Sequence, residues 1–471
     1  MISATTTIST RNPFDLPELR HRLSRFVTLK DAISCALVAK AWTDEFASAI
    51  WFQVDFKVHP RFANLPLDIV DKHGHRIRIV KNAKTLSQVA LLAYANSIDQ
   101  LRNLSIEIAA SASQHARANK TISRNNTTLQ DLHLFADSAF EGKKDTPTYY
   151  VTAPALTPST SVTLPSLSKL KIEHLCLTLI TLVKILQSSP LLSELRLYST
   201  DVVGTSKSSF QHTGVNTFAS TVESIFKAAP TSHSPSLLSY FPNLQVLRTW
   251  TWASNFNIPT NKIERELAHY TPHVTGYQLL DRTGTIVSKF LDNIGKNLTH
   301  ITFQYHKMSP ETIKAILVHQ KTLKSVKHFF LPLNLDYEDE TVALVWHHCH
   351  EESGRFIQLI PRGCQHLEIL DLHAHEMDMD EVERGDWVCK NLRELRFRVK
   401  GLDTKDNILK AIALWRNGCW RRWREQSGTP VVEEGRLSEA DMSIEARVAR
   451  HLLKFDKLWT VWLGYQTWIP I

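Results

Sequence analysis

Two stretches of this chain carry residue types that could do chemistry. Trp346-His347-His348-Cys349-His350, with Cys364, His366, His373 and His375 downstream, holds imidazoles and thiols of the kind that bind zinc. Zinc asks for tetrahedral closure by deprotonated Cys or neutral His, usually from two tightly spaced pairs. No Cys-x-x-Cys occurs, and His347 with His350 would need ligands from far along the chain, so surface and core histidines are expected rather than a metal site. The second stretch, Trp415-Arg416-Asn417-Gly418-Cys419-Trp420-Arg421-Arg422-Trp423-Arg424, interleaves aromatic and basic side chains. Such a segment could stack bases and grip phosphates. At helical spacing it could instead place Trp415, Cys419, Trp420 and Trp423 on an apolar stripe while the arginines stay wet, and this is the expected reading. Trp459, Trp462 and Trp468 fit the same C-terminal cover. No glycine-rich phosphate loop, nucleophile elbow or His-Glu-x-x-His is present, and Cys35 sits within an apolar helical stripe. The expectation is a chain that is not an enzyme and uses no cofactor and no metal.

What must position such residues is a repeat. Leu392-Arg393-Glu394-Leu395-Arg396-Phe397 follows Leu367-Glu368-Ile369-Leu370-Asp371-Leu372 by 25 residues, and a Leu-x-x-Leu-x-Leu pattern recurs from Leu101 to Leu463. A unit of 20 to 29 residues with this pattern is the signature of leucine-rich repeats, in which one short strand per unit stacks on the next. The fold class expected is therefore α/β: a curved leucine-rich-repeat solenoid, its parallel strands on the concave face and its helices outside. Thr178–Leu186 and Pro310–Leu317 read as return helices. The step from Leu192 to Leu244 is 52 residues, close to two units, so one degenerate repeat is expected between them. Segments 109–128, 137–165 and 201–235, rich in Ser, Thr, Asn, Pro or Gly, read as insertions forming mobile or disordered loops.

In such a strand the motif leucines point into the core and the residues between them point outward. Outward positions include Glu194, Arg196 and Tyr198; Val246, Arg248 and Trp250; His300, Thr302 and Gln304; Asp371 and His373; and Glu394, Arg396 and Arg398. Arg, Tyr and Trp anchor protein interfaces through large contact area and directed hydrogen bonds. Arg196, Tyr198, Arg248, Trp250, Arg396 and Arg398 are accordingly the candidate target-binding residues. A solvated face with local charge pairing is the competing reading.

Ahead of the repeats, residues 12–56 read as a small helical module, and 57–97 as a helical linker, with 1–11 a disordered start and 98–471 the repeat domain ending in its Trp-rich cap. Pro17-Glu18-Leu19, Leu23, the Lys30-Asp31 junction, Val38-Ala39-Lys40-Ala41-Trp42 and the late Trp51 resemble an F-box, the helical module that docks on a Skp-type adaptor. As a whole the chain resembles fungal proteins that join an F-box-like N-terminus to degenerate leucine-rich repeats. That resemblance implies Leu16, Pro17, Leu19, Leu23, Val38, Trp42 and Trp51 as adaptor-binding residues. It also implies a substrate-recognition subunit of a cullin-based (SCF-type) ubiquitin ligase, whose partners are the adaptor, through it a cullin, and a protein target. The alternative is a helical cap sealing the first repeat of an interaction scaffold.

Composition fits both readings: 471 residues, 43% hydrophobic and 22% charged. Fifty-five basic residues against 47 acidic ones leave a net charge of +8 that is spread along the chain, so nucleic-acid binding is not expected. Six scattered cysteines, a polar Ser/Thr-rich start and no apolar run of membrane length point to the cytoplasm or nucleus.

Overall fold

The computed structural model describes residues 16–24, 26–108, 112–136, 151–152, 163–204, 210–227, 236–251, 260–281, 287–304, 309–329, 354–402, 404–426 and 442–463. The chain divides into two compact units, Met1–Gly214 and Val215–Ile471.

The first unit opens with three helices, α1 (Pro17–Ser24), α2 (Leu29–Val38) and α3 (Lys40–Phe52). The Thr28 hydroxyl accepts from the Asp31 amide at 3.3 Å and starts α2. Ala39, extended at φ −153° and ψ 148°, separates α2 from α3. There follow β1 (Gln53–Asp55), α4 (Leu67–His73), β2 (Ile79–Ala83), α5 (Leu86–Tyr94), β3 (Asn103–Glu107), α6 (Ala112–Arg124), β4 (Asp131–Phe135), β5 (Val151–Thr152), β6 (Lys169–Glu173), β7 (Leu175–Thr178), α7 (Leu179–Ser188), β8 (Glu194–Tyr198) and β9 (Asp201–Val203). In the order β1-β2-β3-β4-β6-β8 each strand pairs in parallel with the next, while β5-β7-β9 form a small second sheet. The chain passes from β6 to β7 through His174 at φ 56° and leaves β8 through Ser199 at φ 42°. These single left-handed residues turn the backbone out of one sheet and into the other.

The second unit repeats the scheme with β10 (Thr217–Thr221), β11 (Val246–Thr251), β12 (Gly276–Asp281), β13 (His300–Gln304), β14 (Ser325–Phe329), β15 (Ile369–Met377), β16 (Glu394–Val399) and β17 (Thr460–Leu463), again parallel and in serial order. Return segments include Thr260–Tyr270, Val287–Asn293, Pro310–Leu317 and the long helix Lys405–Gln426, against which Ile444–Leu452 packs.

This serial coil is a leucine-rich-repeat-like arrangement, and its cause is visible residue by residue. Leu104 and Ile106, Leu132 and Leu134, Leu170 and Ile172, Leu195 and Leu197, Ile301 and Phe303, and Leu395 and Phe397 are all buried, while the residues between them are not. The residue just before each strand donates its amide to the corresponding carbonyl one coil earlier. Gln130 reaches Arg102 at 2.8 Å, and Arg393 reaches Glu368 at 2.7 Å. Apolar burial thus fixes which side chains point inward, and the backbone ladder fixes the register.

Several expectations are corrected. Strands begin at Gln53, well inside the stretches read as module and linker, because Trp51-x-x-Val54-x-Phe56 and Ile77-x-x-Val80 already carry the motif. In β2 a register shift between Val80 and Ala83, with Asn82 at φ 56°, adds a residue and hides the pattern. Segment 109–128 is not a loop among its described residues but the return helix α6, buried through Ala118, Thr121 and Ile122. Its Arg124 guanidinium donates to the carbonyls of Leu92, Ala93 and Ala95, closing the C-terminal end of α5. Segment 201–235 contains β9, β10 and α8 (Val222–Lys227), and β10 is the degenerate repeat expected between Leu192 and Leu244. Most of 137–165 lies outside the described residues, although Val151–Thr152 form β5.

The C-terminal cover is also corrected. Among its tryptophans with described side chains, Trp415 alone is buried on the long helix, where Ile408, Ala411 and Ile412 complete the inward face. Trp420 and Trp459 are exposed, Cys419 is exposed, and Arg424 lies 5.4 Å over the Trp420 ring. Helical spacing puts Trp420 five residues past Trp415, too far round the helix to share its stripe. The Trp423 side chain and Trp468 lie outside the described residues.

The deepest packing in the second unit surrounds Trp387, whose ring meets His451 edge-on at 4.6 Å and Phe455 at 5.8 Å. Among the described residues, neither nitrogen of His451 has a hydrogen-bond partner. Burial, then the positive charges of Lys454 and Lys390, push its imidazole down to about 3. The folded state therefore refuses a proton that the unfolded chain takes near pH 6.5. The stability tied to this group is complete above that pH and is lost as pH falls toward 3. His451→Phe, which removes two unsatisfied nitrogens, is expected to lose about 2 kcal/mol less than wild type between pH 7.5 and pH 5. Urea unfolding at the two pH values measures this difference, and equal losses would count against it.

Candidate functional site

Two surfaces contain the residues singled out from sequence. The first is the N-terminal module. Arg20 of α1 is buried and pairs with Glu45 of α3 at 3.1 Å, tying the two helices together. Phe46 is fully buried and stacks on Trp42 with ring centroids 5.6 Å apart. Arg76 then ties α3 to the following coil, donating to the Asp44 carbonyl at 2.7 Å and the Ser48 hydroxyl at 3.1 Å. With α3 held in this way, α2 buries only Ala32. The rest of its apolar content faces out: Leu37 is 81% exposed and Val38 69%, with Leu29 and Ile33 also exposed, and Phe26 before the helix is 86% exposed.

The seven residues implied for adaptor binding consequently separate. Leu16, Pro17, Leu19 and Val38 are exposed. Leu23, Trp42 and Trp51 are half-buried. Trp51 stacks on His73 at 4.8 Å and meets Phe62 edge-on at 5.6 Å, because it occupies the first motif position of the β1 coil and its ring packs into that coil. Phe26, Ile33 and Leu37 are exposed as well, although the resemblance does not imply them, because an apolar stripe in sequence does not say which face a neighbouring helix will cover. A cleft of about 720 Å³ opens beside this face, lined among others by Val27, Leu29, Ile50 and Phe52 with His21 and Arg102 at its rim.

The second surface is the outward face of the strands. In the first unit it is closed by charge pairs between adjacent coils. Glu173 receives His133 Nε2 at 2.7 Å and Lys171 Nζ at 2.6 Å, and Ser105 Oγ lies 3.0 Å from His133 Nδ1. Burial alone would raise the Glu173 carboxyl, but these two partners overcome it and hold the group at about 2. Arg196 donates from Nε to Glu194 at 2.5 Å, and Lys171 sits 5.1 Å over the Tyr198 ring.

In the second unit Arg396 lies 3.5 Å from Asp371, 2.6 Å from Glu394 and 3.9 Å over the Trp462 ring, and Arg398 pairs with Glu376 at 3.5 Å. These guanidiniums are already neutralised by the protein itself. Trp250 is corrected from an outward contact to a core residue. It is 6% exposed, in register with buried Thr221 on β10. Arg248 is half-buried on the same strand.

Trp346 to His350 lie outside the described residues, as does the His373 side chain; Cys364 and His375 are buried, and His366 is exposed. Among the described residues no group of three His, Cys, Asp or Glu side chains could hold a metal ion, and no helix is long and apolar enough to cross a membrane.

Comparison with known proteins adds little to this geometry. No protein-family model matches the chain, and no curated protein matches it. Among solved structures it is similar to the leucine-rich repeat-containing protein LegL7 from Legionella pneumophila. That likeness has a TM-score of 0.34 at 13% identity, covering 62% of this chain and 88% of that one.

Proposed function

We propose that this chain is the non-catalytic substrate-recognition subunit of a cullin-based ubiquitin ligase. Its N-terminal helices dock on a Skp-type adaptor, and its repeats hold a target protein. The observation that supports this most is the α2 face. Leu29, Ile33, Leu37 and Val38, with Phe26 ahead of them, leave a ten-residue helix more apolar outside than in. An exposed apolar helix face of this kind marks a partner site rather than a solvated surface. The chain supplies proximity: it raises the concentration of target near the conjugating enzyme, and the bond-making groups belong to its partners.

The stacking of Trp51 on His73 favours a second role for the same module, that of a cap on the β1 coil. The two roles use different faces, α3 sealing the coil and α2 remaining available. Co-expression of the full chain with a Skp-type adaptor, followed by gel filtration, tests the docking. A stable complex is expected. Separate elution of the two proteins overturns the receptor reading and leaves an interaction scaffold with a helical cap.

A further inference from the structure

One row of side chains on the second unit's strand face differs from every pair described above. The registers of β11 to β14 align Arg248 with Gln278, Gln278 with Thr302, and Thr302 with Lys327, so the four stand side by side across four strands. All four are half-buried. Among the described residues none makes a hydrogen bond or ion pair with the Arg248, Gln278, Thr302 or Lys327 side chain. No Asp or Glu stands at an outward position of these strands. The next residue in the row, Asp371, is fully buried and is taken by Arg396. Among the described residues, Arg196, Arg396 and Arg398 therefore have a counter-charge and Arg248 and Lys327 have none.

We propose that this row is the part of the strand face that receives the target, and that its ligand is an extended peptide segment carrying two anionic side chains four residues apart. Arg248 and Lys327 are separated by three inter-strand spacings, about 14 Å, which an extended chain covers in about four residues. The amide of Gln278 and the hydroxyl of Thr302 lie between them, where the intervening peptide groups need donors and acceptors. Carboxylate and phosphate share the required chemistry. A nucleic-acid strand fits less well. The row offers two cations only, and Tyr277 and Phe303 beside it in sequence, with Trp250 two residues off, are buried and unable to stack a base.

This inference rests on the reading of the repeats as the target-holding half and is independent of adaptor docking. The test uses the full chain alone, at low ionic strength, against an array of nine-residue peptides bearing two glutamates or two phosphoserines at separations of one to six residues. Binding is expected to peak at a separation of four, and the glutamate and phosphoserine arms show which anion is preferred. Arg248→Gln and Lys327→Gln are each expected to weaken binding about five-fold. Because these side chains are half-buried, a reversed pair, Arg248→Glu with Lys327→Glu, guards against simple misfolding: it should lose the glutamate peptide and gain the equivalent lysine peptide. Binding with no dependence on separation, no change in the Gln variants, or a single-stranded oligonucleotide bound more tightly than any peptide would each overturn the proposal.

Discussion

Val38→Asp is expected to abolish capture of a Skp-type adaptor while leaving the chain folded. Val38 is 69% exposed in the free protein, so an aspartate there stays in water and costs the fold little. On docking the same carboxylate would be stripped of water against apolar groups with no partner, a penalty of about 3 kcal/mol or more, or at least a hundred-fold in affinity. Val38 ends α2, where a negative charge opposes the helix dipole by a few tenths of a kcal/mol and a positive charge favours it. Val38→Lys is therefore the better-behaved companion: it should block docking equally and stabilise slightly. Leu37→Asp, at 81% exposure, is expected to act in the same way. Trp42→Ala should differ in kind, lowering the stability of the module because its ring stacks on buried Phe46. Pull-down combined with thermal unfolding separates the two effects, and unaltered capture by both Val38 variants would remove the docking face.

The largest loss of stability is expected at Trp387→Ala. This ring is 1% exposed and donates from Nε1 to Gln358 Oε1 at 3.2 Å, inside a cluster with Phe397, His451 and Phe455. Truncation leaves a cavity worth about 3 to 5 kcal/mol and strands the buried Gln358 oxygen at a further cost of about 1 to 3 kcal/mol. Trp387→Phe keeps part of the ring contact and leaves a smaller cavity beside the unpaired Gln358 oxygen, so it should fall short of the alanine effect. Trp420→Ala and Trp459→Ala, at exposed positions, should stay within about 0.5 kcal/mol of wild type. Urea unfolding followed by circular dichroism ranks the four, and a Trp420 effect as large as that of Trp387 would contradict the packing described.

The sequence revealed the fold where the motif is spelled with leucine and concealed it where other residues do the same work. Leu367-x-x-Leu370-x-Leu372 is unmistakable. Val215-x-x-Phe218-x-Ser220 buries its three side chains as completely and reads as nothing in particular, so the β10 coil was legible only as a gap of the right size. The helix α6 was hidden for a related reason: its inward residues are Gln114, His115, Ala118, Thr121 and Ile122, and the polar ones among them break up any apolar face. Interaction sites were less legible than the fold. Alternation along a strand identified Arg196, Arg248, Arg396 and Arg398 as outward; Arg196 pairs with Glu194 on its own strand, but only register across strands shows that Arg396 and Arg398 meet Asp371 and Glu376. Those two pairings span 25 and 22 residues, beyond the reach of any local pattern.

Among the described residues, each strand from β11 to β16 pairs with the strand of the coil just before it and the one just after. Pulled mechanically along its length, such a unit has no single clamp to break. Successive coils should peel away in turn, a coil of about 25 residues releasing about 85 Å of slack and the longer ones from β14 to β15 and β16 to β17 releasing more. A force trace of successive low teeth, in place of one tall rupture, is the mechanical counterpart of a sheet in which each strand leans on its next-door neighbours.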